Sequence, residues 1–206
     1  MNICIFASGS GTNFKAIISS VKNGYLNSKI SLLITNNPHC TAVEIAQKNG
    51  IAVINISRKL YPDLTDSEFY KKFLKVFEDY EIDFLVLAGY MQKIPDELIS
   101  KFRNRIINVH PALLPSFGGK GMYGINIHKA VIASGAKVSG ITIHFVDENY
   151  DEGKIIFQHC CEVSYDDDEF SLQEKIKELE HKYYSMTIKK FEEGKIQIVN
   201  GKVKVI

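Results

Sequence analysis

Short apolar segments alternate with helical segments through the first half of the chain, and this alternation constrains the fold more than any other feature. The apolar segments cover residues 3–6, 30–34, 52–56 and 84–88, and a fifth begins at residue 106. The segments between them have the spacing of amphipathic helices, including 41–49, 66–80 and 95–102. A repeated β-α-β order predicts a mostly parallel sheet with helices on both faces.

The second half of the chain has a different pattern. Residues 138–146 and 154–163 alternate apolar and polar side chains, which predicts a hairpin. Residues 196–199 and 202–205 flank an Asn-Gly pair that is typical of a tight turn. Helices are predicted from 128 to 134 and from 172 to 191. We therefore expect an α/β fold with a doubly wound, mostly parallel, Rossmann-like sheet and an antiparallel C-terminal portion.

Composition excludes several classes of function. The 206 residues carry a net charge of +1, which provides no field for binding nucleic acid. No apolar run is long enough to span a bilayer, so no membrane partner is expected. The four cysteines show no C-x-x-C spacing, and no metal site is predicted. Because a strand is predicted from residue 3, there is no room for a signal peptide, and a cytoplasmic location is expected.

A glycine-rich loop joins the first predicted strand to the first predicted helix, with the sequence SGSGTN at residues 8–13. This layout directs backbone N–H groups and a helix N-terminus toward an anion. Phe14 replaces the third glycine of the dinucleotide fingerprint, and the second strand ends in Thr35-Asn36-Asn37 without an acid for a ribose. Two interpretations remain, a site for a single phosphate or a tight turn that serves only packing.

The fifth apolar segment ends in polar residues and a proline-rich loop, NVHPALLP at 108–115. Residues i and i+2 of a strand point to the same side, so Asn108 and His110 face one way. An amide donor beside an imidazole can stabilise an oxyanion and transfer a proton. The same pair can also simply hydrogen-bond the loop to the body of the protein. Ligands of doubly wound sheets bind beyond the carboxyl ends of the strands, where this segment, the glycine loop and residues 89–95 are all expected.

Three motifs, in order along nearly the whole chain, resemble those of the glycinamide ribonucleotide formyltransferase family. They are SGSGTN at 8–13, NVHPALLP at 108–115 and HFVDENYDEG at 144–153. The family transfers a formyl group from 10-formyltetrahydrofolate to the amine of glycinamide ribonucleotide in de novo purine synthesis. The resemblance implies this reaction, with 10-formyltetrahydrofolate as co-substrate and no metal.

The resemblance also implies roles for individual residues. It assigns the substrate phosphate to Gly11, Thr12 and Asn13, a further ribonucleotide contact to Glu180, and the chemistry to Asn108, His110 and Asp151. It assigns folate contacts to Met91, Gln92, Lys93, Ile94, Asn108 and Asp147. We therefore expect a single formyltransferase domain over 1–206, with a phosphate-binding half at 1–107 and a catalytic and folate-loop half at 108–206.

The chain departs from the family pattern at two arginines that meet the folate tail. None is present near Asp66, and Gln92 follows Met91 where arginine is usual. Lys93 and Arg58 are the candidates to replace them.

The chemistry of formyl transfer suggests how the assigned residues act. Asn108 is expected to donate to the oxyanion, and a protonated His110 to add charge stabilisation. Asp151 is expected to hold the tautomer of His110 and raise its pKa. His144 is predicted to be structural and His128 to serve positioning, while Glu180 could also be a solvated helix charge.

Other functions remain open at this point. A 10-formyltetrahydrofolate hydrolase would not need the phosphate loop, and a formyltransferase acting on tRNA would carry a basic extension. A formyltransferase acting on another small amine is a further alternative. A non-catalytic nucleotide-binding module would not need Asn, His and Asp together. The expected partners are small-molecule substrates, and the expected assembly is a monomer or a homodimer.

Overall fold

Hydrogen bonds join seven strands into one sheet, in the order β3-β2-β1-β4-β5-β6-β7. The computed structural model describes residues 1–206 and divides into two compact units, Met1–Ile107 and Asn108–Ile206. β1 pairs in parallel with β2 and β4, and β2 pairs in parallel with β3, whereas β6 and β7 are antiparallel. The predicted α/β class, with a mostly parallel sheet and an antiparallel C-terminal portion, is confirmed.

The first unit contains the alternating elements, which are β1 Asn2–Phe6, α1 Thr12–Lys22, β2 Lys29–Thr35, α2 Thr41–Lys48, β3 Ala52–Asn55, α3 Asp66–Asp79, β4 Phe84–Leu87 and α4 Asp96–Lys101. β5, Ile106–His110, spans the boundary between the units. The second unit contains α5 Ile125–Ser134, β6 Val138–Phe145, β7 Ile155–Glu162, α6 Glu169–Glu192, β8 Ile196–Val199 and β9 Lys202–Val205.

Helix α3 shows how the sequence builds the core of the first unit. Its buried residues, Phe69, Phe73 and Phe77, are four positions apart and form one stripe along the helix. Phe73 and Phe77 contact Phe6 of β1, with ring centroids 6.2 and 6.4 Å apart. Each buried phenylalanine contributes about 1.5–3 kcal/mol to folding. A capping box between Thr65 and Glu68 satisfies the first amides of α3.

Helix α6 performs the same task in the second unit. Every fourth residue of the helix is buried, and these residues are Leu172, Ile176, Glu180, Tyr184 and Ile188. Four members of this stripe are apolar or aromatic, and the fifth is a carboxylate. Charged residues are rarely buried without a functional or electrostatic reason, so Glu180 stands out within the stripe.

Two helices begin earlier than the sequence pattern predicts. α5 begins at Ile125 instead of His128, since its N-cap is Gly124 and no side-chain cap marks the start. α6 begins at Glu169 instead of Leu172, because Asp168 accepts hydrogen bonds from the backbone amides of Phe170 and Ser171. The first turn of α6 is therefore set by its cap and lies outside the apolar periodicity.

The terminal hairpin of β8 and β9 agrees with its predicted bounds. Asn200 and Gly201 both have positive φ, 51° and 76°, as a tight two-residue hairpin turn requires. Among the six helices, none combines the length and apolarity needed to cross a membrane.

Candidate active site

β5 delivers two polar side chains at the end of an apolar strand. Ile106 and Ile107 are buried, Asn108 is half-buried, and His110 is only 3% exposed. The amide Nδ2 of Asn108 lies 3.2 Å from Nε2 of His144. Nε2 of His110 lies 2.9 Å from the carbonyl oxygen of Phe117. Both side chains are thus held by specific partners.

The carboxylate of Asp151 lies between two imidazole rings. Its Oδ2 is 3.5 Å from Nδ1 of His110, and its Oδ1 is 3.7 Å from Nε2 of His144. The backbone amide of Gly119 donates to Oδ2 at 2.9 Å. Asn108, His110 and Asp151, which the resemblance assigns to the chemistry, therefore form one cluster, and His144 joins it. We call these four residues the catalytic cluster, after the role that the resemblance assigns to Asn108, His110 and Asp151.

A tight turn brings Asp151 into this position. Asp151 has a φ of 60°, which aspartate tolerates better than most residues. Two residues later, Gly153 approaches the end of β6 so closely that a Cβ atom would lie 1.7 Å from the carbonyl oxygen of Phe145. Only glycine permits this approach. The D-x-G spacing therefore has a physical basis, since the glycine lets the loop return to the strand that carries His144.

The protonation state of His110 follows from its two ring nitrogens. A carbonyl oxygen only accepts, so Nε2 carries the hydrogen that bonds Phe117. Burial lowers the pKa of His110 below its ordinary value, while Asp151 and the Phe117 carbonyl act in the opposite direction. Asp151 thus acts on the His110 pKa in the predicted direction, but burial outweighs its charge, and the net pKa is lowered. At neutral pH the ring is neutral, and Nδ1, facing Asp151, is free to accept a proton.

The tautomer of His144 determines the orientation of Asn108. Nδ1 of His144 lies 2.8 Å from the carbonyl oxygen of Phe145 and must carry a hydrogen. Burial lowers the pKa of His144, although Phe145 and Asp151 favour its protonated form. In the neutral ring, Nε2 is a pure acceptor, so Asn108 must turn its NH₂ group toward it. The second N–H of that amide then remains available to a ligand.

His128 is a third buried histidine, on α5, and it is 3% exposed. Its Nδ1 has no hydrogen-bond partner. Burial, and then the positive charge of Lys177 and the nearby His110, lower the pKa of His128 to about 4. His128 is therefore neutral at physiological pH. Its assignment to positioning stays a prediction.

In the first unit, the glycine loop leads directly into α1. Gly11 is the N-cap of α1, with φ 68°, and no side chain caps the helix. A Cβ atom on Gly11 would lie 3.0 Å from Cα and Cβ of Ala42, so glycine is required by conformation and by packing. Thr12 is half-buried, and Asn13 is 8% exposed. An uncapped helix start without an acidic residue in its first turn supports the predicted anion site.

The loop that follows β4 carries the residues assigned to folate. Met91 is 56% exposed, Gln92 is half-buried, and Ile94 is 3% exposed. Nζ of Lys93 forms an ion pair with Asp96 at 2.8 Å. The loop therefore offers one exposed apolar side chain and one buried apolar side chain.

The other candidate for the folate tail, Arg58, is also engaged. It forms an ion pair with Asp66, and its guanidinium lies 4.1 Å from the ring centroid of Phe69. Both cations proposed to replace the usual arginines are thus held by neighbouring aspartates, through exposed pairs that cost little to open.

The structure tests one interpretation of Glu180 and shows what the Asp147 side chain binds. Glu180 is 8% exposed within the buried stripe of α6, so its interpretation as a solvated helix charge is wrong. Oδ1 of Asp147 accepts the amide of Asn149 at 3.1 Å, and the Asp147 charge is the smallest of the influences on the pKa of His144.

Sequence reasoning missed His144 as a member of the catalytic cluster. Alternation along β6 correctly indicates a buried and hydrogen-bonded histidine, but its partners are two residues assigned to the chemistry. The available signal was its place in HFVDENYDEG, seven residues before Asp151. No group of three or more His, Cys, Asp or Glu residues is arranged to hold a metal ion.

Comparison with known proteins gives a consistent family. A model described as formyl transferase matches residues 1–188. The phosphoribosylglycinamide formyltransferase of Bacillus subtilis (strain 168) is 35% identical over 185 residues, which are 90% of this chain and 91% of that protein. The crystal structure of glycinamide ribonucleotide transformylase 1 from Symbiobacterium toebii superimposes with a TM-score of 0.91 at 30% identity, covering 100% of this chain and 94% of that chain.

A higher identity occurs in a longer relative. The chloroplastic phosphoribosylglycinamide formyltransferase of Arabidopsis thaliana is 43% identical over 182 residues, which are 88% of this chain and 62% of the relative. The chain thus spans about three fifths of the length of the first curated relatives it matches. The matched residues include the glycine loop and all four residues of the catalytic cluster. From its sequence and its fold, this chain belongs to the formyl transferase family.

Proposed function

We propose that this protein transfers the formyl group of 10-formyltetrahydrofolate to the amine of N1-(5-phospho-D-ribosyl)glycinamide, or glycinamide ribonucleotide. The products are the N-formyl ribonucleotide and tetrahydrofolate, in de novo purine biosynthesis. The carboxylate of Asp151 between two buried imidazoles, beside an oriented amide, carries this proposal. The names of the related formyltransferases support it.

The reaction begins when the neutral amine attacks the formyl carbon, and the formyl oxygen becomes an oxyanion. Asn108 directs one N–H to His144, and its second N–H donates to this oxygen. Because the primary amine is itself the nucleophile, no covalent enzyme intermediate is required.

His110 transfers the proton from the attacking amine to the folate nitrogen. The neutral ring holds its hydrogen on Nε2, toward Phe117, so Nδ1 accepts the proton released by the attacking amine, directly or through a water. The resulting imidazolium lies 3.5 Å from Asp151, which stabilises it. The proton then passes to the folate nitrogen as the carbon–nitrogen bond of the tetrahedral intermediate breaks. Charge stabilisation by His110 thus develops during the reaction.

His144 acts through Asn108, as a positioning residue. The change His144→Phe keeps a buried ring but removes the acceptor that orients the amide. We expect kcat to fall about fivefold, because one orienting hydrogen bond is worth about 1 kcal/mol. The KM values of both substrates should change little. Steady-state kinetics of the folded variant test this, and an unchanged kcat would remove His144 from the mechanism.

Gly11, Thr12 and Asn13 are proposed to bind the substrate phosphate, and Glu180 to bind the same ribonucleotide. The change Gly11→Val adds a side chain where φ is 68° and Ala42 is in contact. We expect the KM for ribonucleotide to rise at least about tenfold, since one hydrogen bond to a charged group is worth about 1.5–3 kcal/mol.

The matched control for Gly11→Val is Gly24→Val, because Gly24 also has a positive φ of 77° but no atom within 4 Å of an added Cβ. The folate KM should change far less than the ribonucleotide KM in Gly11→Val. Equal increases in both KM values would count against a phosphate site at this loop.

The folate is proposed to contact Met91, Gln92, Lys93, Ile94, Asn108 and Asp147, the last through its backbone. Lys93 and Arg58 remain the candidates for its glutamate tail, after release of their aspartate partners.

The decisive test of the reaction is an absorbance assay of folate deformylation with and without glycinamide ribonucleotide. We expect turnover only when the ribonucleotide is present. Turnover in its absence would identify a hydrolase, and turnover only with a different amine would identify another formyltransferase.

We further propose that the protein acts on small-molecule substrates, is a monomer or a homodimer, and is located in the cytoplasm. The Arabidopsis thaliana relative is chloroplastic by name, so the cytoplasmic location stays a prediction. Light scattering on the purified protein measures the oligomeric state.

A further inference from the structure

Ser8, the first residue of the glycine loop, uses every polar group it has. Its backbone amide donates to the carbonyl of Gly89 at 3.0 Å, and its carbonyl accepts from Nδ2 of Asn37 at 3.4 Å. Its hydroxyl accepts the backbone amide of Met91 at 3.0 Å and donates to Oδ1 of Asn36. The residue is 8% exposed. Ser8 therefore binds the loops that follow β2 and β4 at the same time.

These hydrogen bonds form a continuous series within the first unit. The amide of Met91 points to the Ser8 hydroxyl, and that hydroxyl points to Asn36, so each bond polarises the next. One end of this series is Met91, the first of the four residues in the loop after β4 that are assigned to folate. Ser8 itself lies three residues before Gly11, at the proposed phosphate site. A shift of either loop must therefore change the geometry at Ser8.

We infer that Ser8 is a positioning residue that couples the binding of ribonucleotide to the binding of folate. The inference rests on the proposed function, because it takes its two ligands from that reaction. A ligand that orders one loop fixes Ser8, and through Ser8 it orders the other loop before the second ligand arrives. The second ligand then loses less conformational freedom, so the two bind with positive cooperativity.

The test uses isothermal titration calorimetry with tetrahydrofolate, the product folate, which carries no formyl group and so cannot react. Its Kd is measured with and without saturating glycinamide ribonucleotide, and the ratio of the two values is the coupling factor. In the wild-type protein we expect a coupling factor of about five or more, the lower end of common couplings. In Ser8→Ala we expect less than about two, because the hydroxyl link is lost.

Two variants serve as controls. Ser19→Ala removes an exposed hydroxyl that bonds only the Lys15 carbonyl within α1, and it should keep the wild-type coupling. Ser8→Thr retains a hydroxyl and should restore the coupling. A purely structural role of Ser8 would weaken both binary affinities without changing their coupling factor.

A second variant keeps the test valid if Ser8→Ala folds poorly. Asn36→Ala removes the acceptor of the Ser8 hydroxyl while Ser8 stays in place, and it should also lower the coupling factor. The inference is overturned if folded Ser8→Ala or Asn36→Ala keeps the coupling factor of the wild-type protein. It is also overturned if the wild-type protein itself has a coupling factor near one while its turnover is normal. Both outcomes leave the proposed function intact. Absence of turnover with glycinamide ribonucleotide in the wild-type protein overturns the proposed function and the inference with it.

Discussion

Replacing Asp151 with asparagine is expected to lower kcat by about 10²–10⁴-fold, the usual contribution of general acid–base catalysis. Asp151→Asn keeps the shape of the side chain and removes its charge. Asparagine also tolerates the φ of 60° at this position, so the turn should survive. The imidazolium that forms on His110 during the reaction then loses its counter-ion at 3.5 Å.

The same change should shift the pH dependence in one direction. Burial already holds the pKa of His110 below its ordinary value, and Asp151 partly offsets that effect. Without the negative charge the pKa of His110 falls further, because the protonated ring is disfavoured. The acid limb of the kcat profile should therefore move to lower pH. Measurement of kcat against pH, with circular dichroism to verify folding, checks both the loss and the shift.

Asp147→Asn is the matched control in the same acidic loop. The Asp147 side chain accepts the amide of Asn149, and its charge is only the smallest influence on the pKa of His144, so the kcat of Asp147→Asn should stay near the wild-type value. An inactive Asp147→Asn together with an active Asp151→Asn would mean that the wrong carboxylate is assigned. The mechanism would then have to be redrawn around Asp147.

The change Asn108→Ala is expected to lower kcat by about 10²–10³-fold, the usual loss for one oxyanion donor in a buried site. The methyl group cannot donate to the oxyanion, and it also leaves Nε2 of His144 without its partner. The loss should appear in kcat more than in either KM, because the formyl oxygen that accepts from Asn108 carries its full negative charge only in the transition state.

Asn108→Asp provides a second, shape-conserving variant at the same position. It removes both N–H donors and places a carboxylate toward the His144 acceptor and near Asp151. Its kcat should therefore be at least as low as that of Asn108→Ala. A folded Asn108→Ala or Asn108→Asp variant with near-wild-type kcat would end the proposed role of this amide.

Local patterns were sufficient for the main elements of the fold. The four-residue spacing of Phe69, Phe73 and Phe77 predicts α3 because an α-helix turns every 3.6 residues. The Asn200-Gly201 pair predicts the terminal hairpin because its turn needs two positive φ angles. The first residues of helices were harder to predict from sequence, since α5 begins after a glycine without a capping side chain.

Part of the candidate site could be predicted from the same kind of local pattern. Strand alternation places Asn108 and His110 on one side, and a glycine two positions after Asp151 marks a tight turn. Both arguments are local, because they depend on backbone geometry over a few residues. The glycine loop before α1 is local in the same sense, as its anion-binding potential comes from the start of one helix.

The sequence by itself determined the alternation of strands and helices, the turns and the residue types available for chemistry, because these depend on near neighbours. Only the tertiary structure decided that His144 lies between Asn108 and Asp151, since 36 residues separate His144 from Asn108 and only strand packing brings them together. It also decided the sign of the His110 pKa shift, because burial is a property of the packed chain. The link through Ser8 belongs to the same class, as it joins residues 83 positions apart.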